Sequence, residues 1–156
     1  NVDALVKKIR YLGIKPLRNE SAIIHCENTR IAIAGIENWG LPPMQQYGDL
    51  SLALKSVPDS LFTILLSHNP QFWDNHVKGL NQVKLTLSGH THGMQAGINI
   101  GKHQWSPASF IYKYWGGLYE DNDQYLYVNR GLGYIGLPIR INLPAEITVF
   151  TLYKKR

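Results

Sequence analysis

Three histidines stand where this chain could do chemistry. His90 and His92 lie two residues apart in "LSGHTHGMQ" (87–95), between Gly89 and Gly93, and His68 stands in "LLSHNP" (65–70) directly after an apolar run. Neutral imidazole is a good ligand for Zn, Mn, Fe or Co, and flanking glycines let the backbone turn around an ion where a Cβ would obstruct. In extended conformation a His-x-His pair presents both rings to one face, so the two can serve one centre. Three histidines make a plausible zinc set with an open fourth position. The competing reading is a pair of loop histidines bonded to nearby backbone. The preceding strand, the two glycines and the Thr91 hydroxyl between the rings weigh against it. His25, His76 and His103 have no such context and read as structural or surface residues.

Other chemistries find less support. A pair of metals needs a bridging carboxylate, yet none of the eleven acids occupies a strand end beside a histidine. Neither Ser67 nor Ser88 sits on a G-x-S-x-G elbow. "GLGYIG" (131–136) matches a dinucleotide fingerprint only superficially, because no βαβ unit surrounds it and Pro138 follows at once.

The histidines need elements to position them. "VDALVKKIRYLGI" has apolar residues at Val2, Leu5, Val6, Ile9 and Leu12, a helical period closed by Gly13. "SAIIHCENTRIAIAGI" reads as two strands, 22–26 and 30–35, joined by the turn residues Glu27-Asn28-Thr29. "ENWGLPPMQQYGD" should be loop, followed by a short helix over "DLSLALKSV". The apolar runs 62–67 and 83–88 are predicted to be adjacent strands. Their C-terminal ends would bring His68, His90 and His92 into one pocket, since loops beyond strand ends carry the chemistry of open α/β sheets. "FWDNHVKG" reads as a short helix with Phe72 and Trp73 inward. The segment 93–118 shows no period and reads as a long surface excursion. "NDQYLYVN" begins as a strand and gives way to a glycine loop, and "EITVFTLYKK" alternates like a last strand, at an edge given its lysines.

Composition limits the answers further. The 156 residues suit one domain able to bury a core, and 44% apolar with 17% charged residues is a globular balance. The net charge of +5 is scattered, without a dense basic stripe, so a nucleic-acid partner is not expected while anionic substrates are favoured. Cys26 alone allows no internal disulfide and no thiolate metal cluster. No apolar run reaches the roughly 18 residues of a membrane span, so the chain itself is expected to be soluble. Its first residue, Asn1, fits a piece of a longer or processed protein.

Taken together, "LLSHNP", "SGHTHGMQ" and "YLYVNRGLGYIGLPIR" (125–140) resemble the calcineurin-like metallophosphoesterases. More narrowly, they resemble a bacterial subgroup often tethered to, or exported across, a membrane. The likeness includes the opening "VDALVKKIRYLGIKPLRNESAII" and so runs through essentially the whole chain. It implies the C-terminal part of a four-layer α/β/β/α sandwich with a mixed sheet, and hydrolysis of phosphoesters at two divalent metals (Mn, Zn, Fe, Co or Ni). His68 and His90 match ligands of the second metal and His92 a ligand of the first. Asn69 and Thr91 would orient ligands or substrate, with Gly89 and Gly93 permitting close approach. Met94 replaces a glycine of the usual Gly-His-Thr-His-Gly-Gly-Gln and adds a side chain near the mouth.

The chain departs from the family at its other end. It holds no Asp-x-His pair, no bridging aspartate of a Gly-Asp-x-x-Asp motif, and no Gly-Asn-His with its ligand and general acid. The resemblance therefore implies that residues 1–156 are the C-terminal half of a metallophosphoesterase domain, inactive in isolation and without a catalytic residue of its own. It further implies a companion, either the N-terminal half or a second copy. The substrate would be a phosphorylated small molecule or a lipid-linked phosphoester, and the parent protein membrane-associated or exported. The alternative is a non-catalytic metal-binding or interaction domain that uses the same histidines structurally. A nucleic-acid binder working through Arg10, Lys15, Arg18 and the terminal lysines rests on net charge alone.

Overall fold

The computed structural model describes residues 1–26, 29–40, 42–101 and 103–153. The expected turn at Glu27-Asn28 and the basic end at Lys154, Lys155 and Arg156 lie outside these residues. The chain opens with helix α1 (Val2–Tyr11), capped by the Asn1 side chain, which accepts from the Asp3 amide at 3.0 Å. Strands β1 (Glu20–Cys26) and β2 (Thr29–Gly35) follow, then helix α2 (Leu50–Leu54) and strand β3 (Phe62–Leu66). A single π-helical turn over Trp73–Val77 leads to β4 (Val83–Ser88). The last strands are β5 (Ile98–Ile100), β6 (His103–Trp105), β7 (Gly117–Asp121) and β8 (Gln124–Val128).

Six strands form one mixed sheet in the order β1-β2-β3-β4-β8-β7. The inner neighbours β2-β3, β3-β4 and β4-β8 are parallel, while the outer pairs β1-β2 and β7-β8 are antiparallel. Parallel strands need cover on both faces, so their sequences are largely apolar; "FTILL" and "VKLTL" are interrupted by Thr63, Lys84 and Thr86, of which the two threonines are fully buried. Leu65, Val83, Leu126 and Val128 are fully buried there, with Phe72, Trp73 and Val77 of the π-helical turn packed in the same core. The fold is thus α/β with a mixed sheet and few helices.

Two polar clips hold the core together. Gln124, almost fully buried at the start of β8, donates to the carbonyls of Leu80 and Val83 at 2.8 Å each and accepts from the Gly79 amide at 2.7 Å. That one amide side chain ties the π-helical turn to both β4 and β8. Asp74 accepts from Lys113 and from the Tyr114 hydroxyl at 2.8 Å each, and pairs with Lys78 at 3.0 Å. Partial burial pushes its carboxyl up, but the donors Lys113, Tyr114 and Lys78 outweigh this and hold it at about 2.

Several expectations require correction. The segment "EITVFTLY" pairs with no strand among the described residues, although its side chains alternate as a strand's would. Glu146, Thr148 and Phe150 turn toward Tyr127 and Asn129 beside β8, while Ile147 and Val149 are 80% and 85% exposed. The alternation is present and the ladder partner is not. The excursion 93–118 contains the β5-β6 hairpin and the start of β7; these strands are too short to show a period. Helix α1 forms as expected, but none of its residues is buried and Val2, Leu5 and Leu12 remain largely exposed.

Two measurements test the clips. Replacing Gln124 by Met leaves the Gly79 amide without a partner, whereas the Leu80 carbonyl keeps the Val83 amide. Chemical denaturation should register a loss of about 1–3 kcal/mol. Asp74 is depressed in the folded chain, so its contribution is present above pH 3.8 and is lost as pH falls through about 2. An acid titration followed by circular dichroism should be flatter over that interval in Asp74→Asn.

Candidate functional site

The site stands at the C-terminal ends of β3 and β4, where the ladder continues one step past the strands. The Ser67 amide donates to the Leu87 carbonyl at 3.0 Å, and the Gly89 amide donates to the His68 carbonyl at 3.1 Å. These bonds fix the two loops side by side before either can diverge. Asn69 then turns the first loop, accepting from the Gln71 amide at 3.0 Å and donating to the Trp39 carbonyl at 3.3 Å.

The three predicted histidines line one cavity of about 390 Å³, together with Met94, Ile111, Tyr112 and Ile135. His90 Nδ1 lies 3.3 Å from His68 Nε2, and the rings meet edge to face at 5.0 Å. The other nitrogen of His90, Nε2, is 3.3 Å from the Tyr112 hydroxyl. His92 faces the Gly131 backbone, where a Cβ would sit 3.6 Å from its Cε1, and its Nδ1 is buried without a hydrogen-bond partner. Burial pushes the His68 and His90 imidazoles below their ordinary value. Nearby His92 adds to this for His68, and His68 and His92 add to it for His90. Such groups stay neutral at physiological pH, the state in which imidazole nitrogen can donate a lone pair to a metal.

The expected extended His-x-His does not occur. His90 and His92 have φ of 73° and 50°, and Gly93, Met94 and Gln95 continue in the same left-handed region. Each non-glycine residue there costs roughly 1–2 kcal/mol, so surrounding bonds must impose the shape. Thr91, 3% exposed, donates to the Trp115 carbonyl at 2.6 Å and accepts from the Gly93 amide at 3.2 Å. Ser106 donates to the Gly93 carbonyl at 2.6 Å. Gln95 donates to the carbonyls of Leu137 and Ile139 and accepts from the Ile135 amide, joining this loop to the 130s. Glycine suits position 93, where φ is 56° and a Cβ would press on Leu143 Cδ1 at 2.9 Å.

Among the described residues, no carboxylate lines the cavity. Among the described residues, no group of three or more His, Cys, Asp or Glu side chains is preassembled to hold a metal ion. His68 and His90 bring two imidazole nitrogens to 3.3 Å, a spacing that one divalent ion could share, while His92, which lines the same cavity, keeps its Nδ1 buried and without a partner. Of the other predicted residues, Thr91 and Gly93 serve the loop itself. Asn69 faces an adjoining cavity that also touches His90, and a Cβ at Gly89 would make only an ordinary contact, 3.8 Å from the Asn129 carbonyl oxygen. Tyr112 belongs to the site but carried no motif, while Gln95 and Ile135 lie inside quoted motifs without having been singled out. "GLGYIG" is followed by no helix. It lies in a loop closed by Arg130 donating to Glu146 at 2.6 Å, with Arg140 donating to the carbonyls of Arg130 and Gly131 at 3.0 Å each.

Comparison with known proteins gives a consistent picture. The chain is 38% identical over 128 residues to the uncharacterized metallophosphoesterase YkuE of Bacillus subtilis, matching 81% of this chain and 42% of that protein. It is 30% identical over 152 residues to a bovine transmembrane protein with metallophosphoesterase domain, 90% of this chain and 33% of that one. An uncharacterized metallophosphoesterase of Helicobacter pylori is 34% identical over 131 residues, 80% of this chain and 33% of that one. The chain thus spans about a third to two fifths of the length of these relatives. No family model matches, and no solved structure matches.

The loop geometry depends on a hydroxyl at position 91. Thr91→Val leaves the shape and removes both bonds, and should cost about 1–3 kcal/mol in urea denaturation. Thr91→Ser should restore most of it. Full stability in Thr91→Val with a loss in Thr91→Ser would assign the effect to packing of the methyl group.

Proposed function

We propose that this chain, which belongs to the calcineurin-like metallophosphoesterase family, supplies one side of the metal site of a phosphoester hydrolase. The observation that carries the proposal is the 3.3 Å approach of His68 Nε2 to His90 Nδ1 in imidazoles biased toward neutrality, with His92, whose Nδ1 is buried and unpartnered, lining the same cavity. His68 and His90 would hold one divalent ion and His92 a second. Such ions polarise phosphoryl oxygen and activate water. The chain's own part is to present neutral nitrogen donors from a rigid strand edge and to wall the cavity with Met94, Ile111 and Ile135. Tyr112 keeps the outer nitrogen of His90 occupied, a supporting contact that orients a ligating ring.

The bridging and charge-balancing carboxylates would come from a first half of the domain. That half would complete the four-layer sandwich, cover β1, whose Ile23 and Ile24 are each 39% exposed, and offer a partner strand to the segment 146–153. The reading of residues 1–156 as the C-terminal half also suits their coverage of only part of each relative. No helix among the described residues is long and apolar enough to cross a membrane. A membrane-associated parent would therefore carry its anchor elsewhere, as the name of the bovine relative suggests for that protein. The substrate would be a phosphorylated small molecule or a lipid-linked phosphoester.

Calorimetric titration with Zn²⁺ or Mn²⁺ tests the ligand set. The chain should bind metal, and the double variant His90→Ala, His92→Ala should bind at least ~10-fold more weakly. Hydrolysis of bis-p-nitrophenyl phosphate should be absent in the 156-residue chain and present in a longer natural chain that includes the preceding carboxylate motifs. Metal binding with turnover in neither would favour a non-catalytic metal-binding domain. Equal metal binding by wild type and double variant would overturn the ligand assignment.

A further inference from the structure

We propose that the cavity adjoining the histidines binds the alcohol part of the phosphoester, an uncharged, hydroxyl-bearing group such as a sugar or short polyol. This deepens the phosphoesterase reading above and rests on it. The second cavity, of about 390 Å³, is lined by Asn38, Trp39, Met44, Asn69 and Gln71. It shares His90, Ile111 and Tyr112 with the histidine cavity, so a group esterified to phosphate at the histidines can reach into it. Its size falls within the range of about 300–1,000 Å³ usual for small-ligand sites. Its place in the fold sets it apart from the contact with a first half of the domain. Alternation along β3 turns Leu65 into the core that holds Trp39 and Phe72, while Phe62 and Leu66, 38% and 40% exposed, point to the opposite face. A first half completing the sandwich would cover that open face. The second cavity stands on the Trp39 side, between the loops after β2 and β3, which Asn69 joins by donating to the Trp39 carbonyl at 3.3 Å.

The lining selects the ligand's chemistry. Among the described residues it includes no Asp, Glu, Lys or Arg, so an ammonium or carboxylate group would meet no counter-charge there. Asn69 is bonded at both ends within the loops, accepting from the Gln71 amide and donating to the Trp39 carbonyl, which leaves the side-chain amides of Asn38 and Gln71 to a ligand. Gln71 Oε1 is buried without a hydrogen-bond partner, a costly state for an acceptor. Its terminal amide turns on a soft, two-fold torsion, so a ligand O–H can draw the oxygen into the cavity. An acyl chain would leave that acceptor orphaned and set both amides against hydrocarbon. A nucleobase would need an open aromatic face, yet Trp39 is only 8% exposed, with its ring packed edge to face on Phe72 and His76. Hydroxyls meet the amides, and a short carbon skeleton meets Met44 and Ile111.

Glucose 6-phosphate and n-hexyl phosphate are the probes. Both are primary alkyl monoesters with the same number of carbons, so they differ in hydroxyls and not in the type of bond cleaved. In the longer natural chain that includes the preceding carboxylate motifs, loaded with Mn²⁺, kcat/KM should favour glucose 6-phosphate at least ~10-fold. Gln71→Leu should lower that ratio at least ~10-fold, and Asn38→Ala should move it in the same direction. Ser51→Ala, in a separate cavity that also touches Trp39, should leave the ratio unchanged. Circular dichroism verifies the folding of all three variants. A ratio near one in the wild type, a ratio that Gln71→Leu leaves intact, or an equal fall in Ser51→Ala would each overturn the subsite. Turnover of bis-p-nitrophenyl phosphate in the same sample would then show the phosphoesterase reading standing without it. Turnover of none of the three esters would overturn that reading, and the subsite with it.

Discussion

Two parallel strands that stop side by side are the constraint on which the site depends. β3 and β4 are paired from Ile64 opposite Leu85 to Leu66 opposite Leu87, and the next bonds out join Ser67 to Leu87 and Gly89 to His68. A one-residue slip of either strand would turn its histidine-bearing end to the opposite face of the sheet. The register is set from below by buried apolar side chains such as Leu65 and Val83, so the position of His68 relative to His90 is decided by the core. The loops then add only a short, heavily bonded step.

That step is strained, and the strain bears on what the histidines are for. Left-handed backbone at His90, His92, Met94 and Gln95 is held by Thr91, Ser106 and Gln95, whose side chains bond backbone groups of neighbouring loops. A pair of histidines serving only to satisfy local backbone would not need such a frame, and would not leave His92 Nδ1 buried without a partner. Support of this kind is what a ligand set requires, since ligating rings must be held within a fraction of an ångström by side chains around them.

The sequence made the parallel centre legible because largely apolar runs of strand length ending in Ser-His or Ser-Gly-His have few other readings. It likewise carried α1, α2, β1, β2 and β8 through ordinary periodicity and turn residues. It did not reveal β5, β6 and β7, whose short polar-mixed sequences pair only because the loop brings them together. The extended geometry expected of His-x-His failed because Thr91 caps a tight turn instead, a tertiary effect of the Trp115 carbonyl that local sequence cannot show. Tyr112 was invisible for the same reason: a lone tyrosine in an aperiodic stretch acquires its meaning only from the 3.3 Å contact with His90.

The last segment reads differently in sequence and in space, and the difference is physical. Alternation in "EITVFTLY" encodes two faces, and both are honoured: Glu146 is bonded by Tyr127, Thr148 and Arg130, while Ile147 and Val149 point away. A strand needs a neighbour for its backbone as well as a face for its side chains, and β7, not this segment, takes the place beside β8. Glu146, although partly buried, is held below its ordinary value because Tyr127, Arg130 and Thr148 outweigh the cost of burial. The segment is thus anchored firmly at one end by a charged knot, with strand-like side-chain alternation and open backbone beyond it. Under the proposed reading, such an anchored, unpaired, alternating stretch with two β-branched residues outward would find its ladder partner in the first half of the domain; an open backbone of this kind is a ready template for pairing.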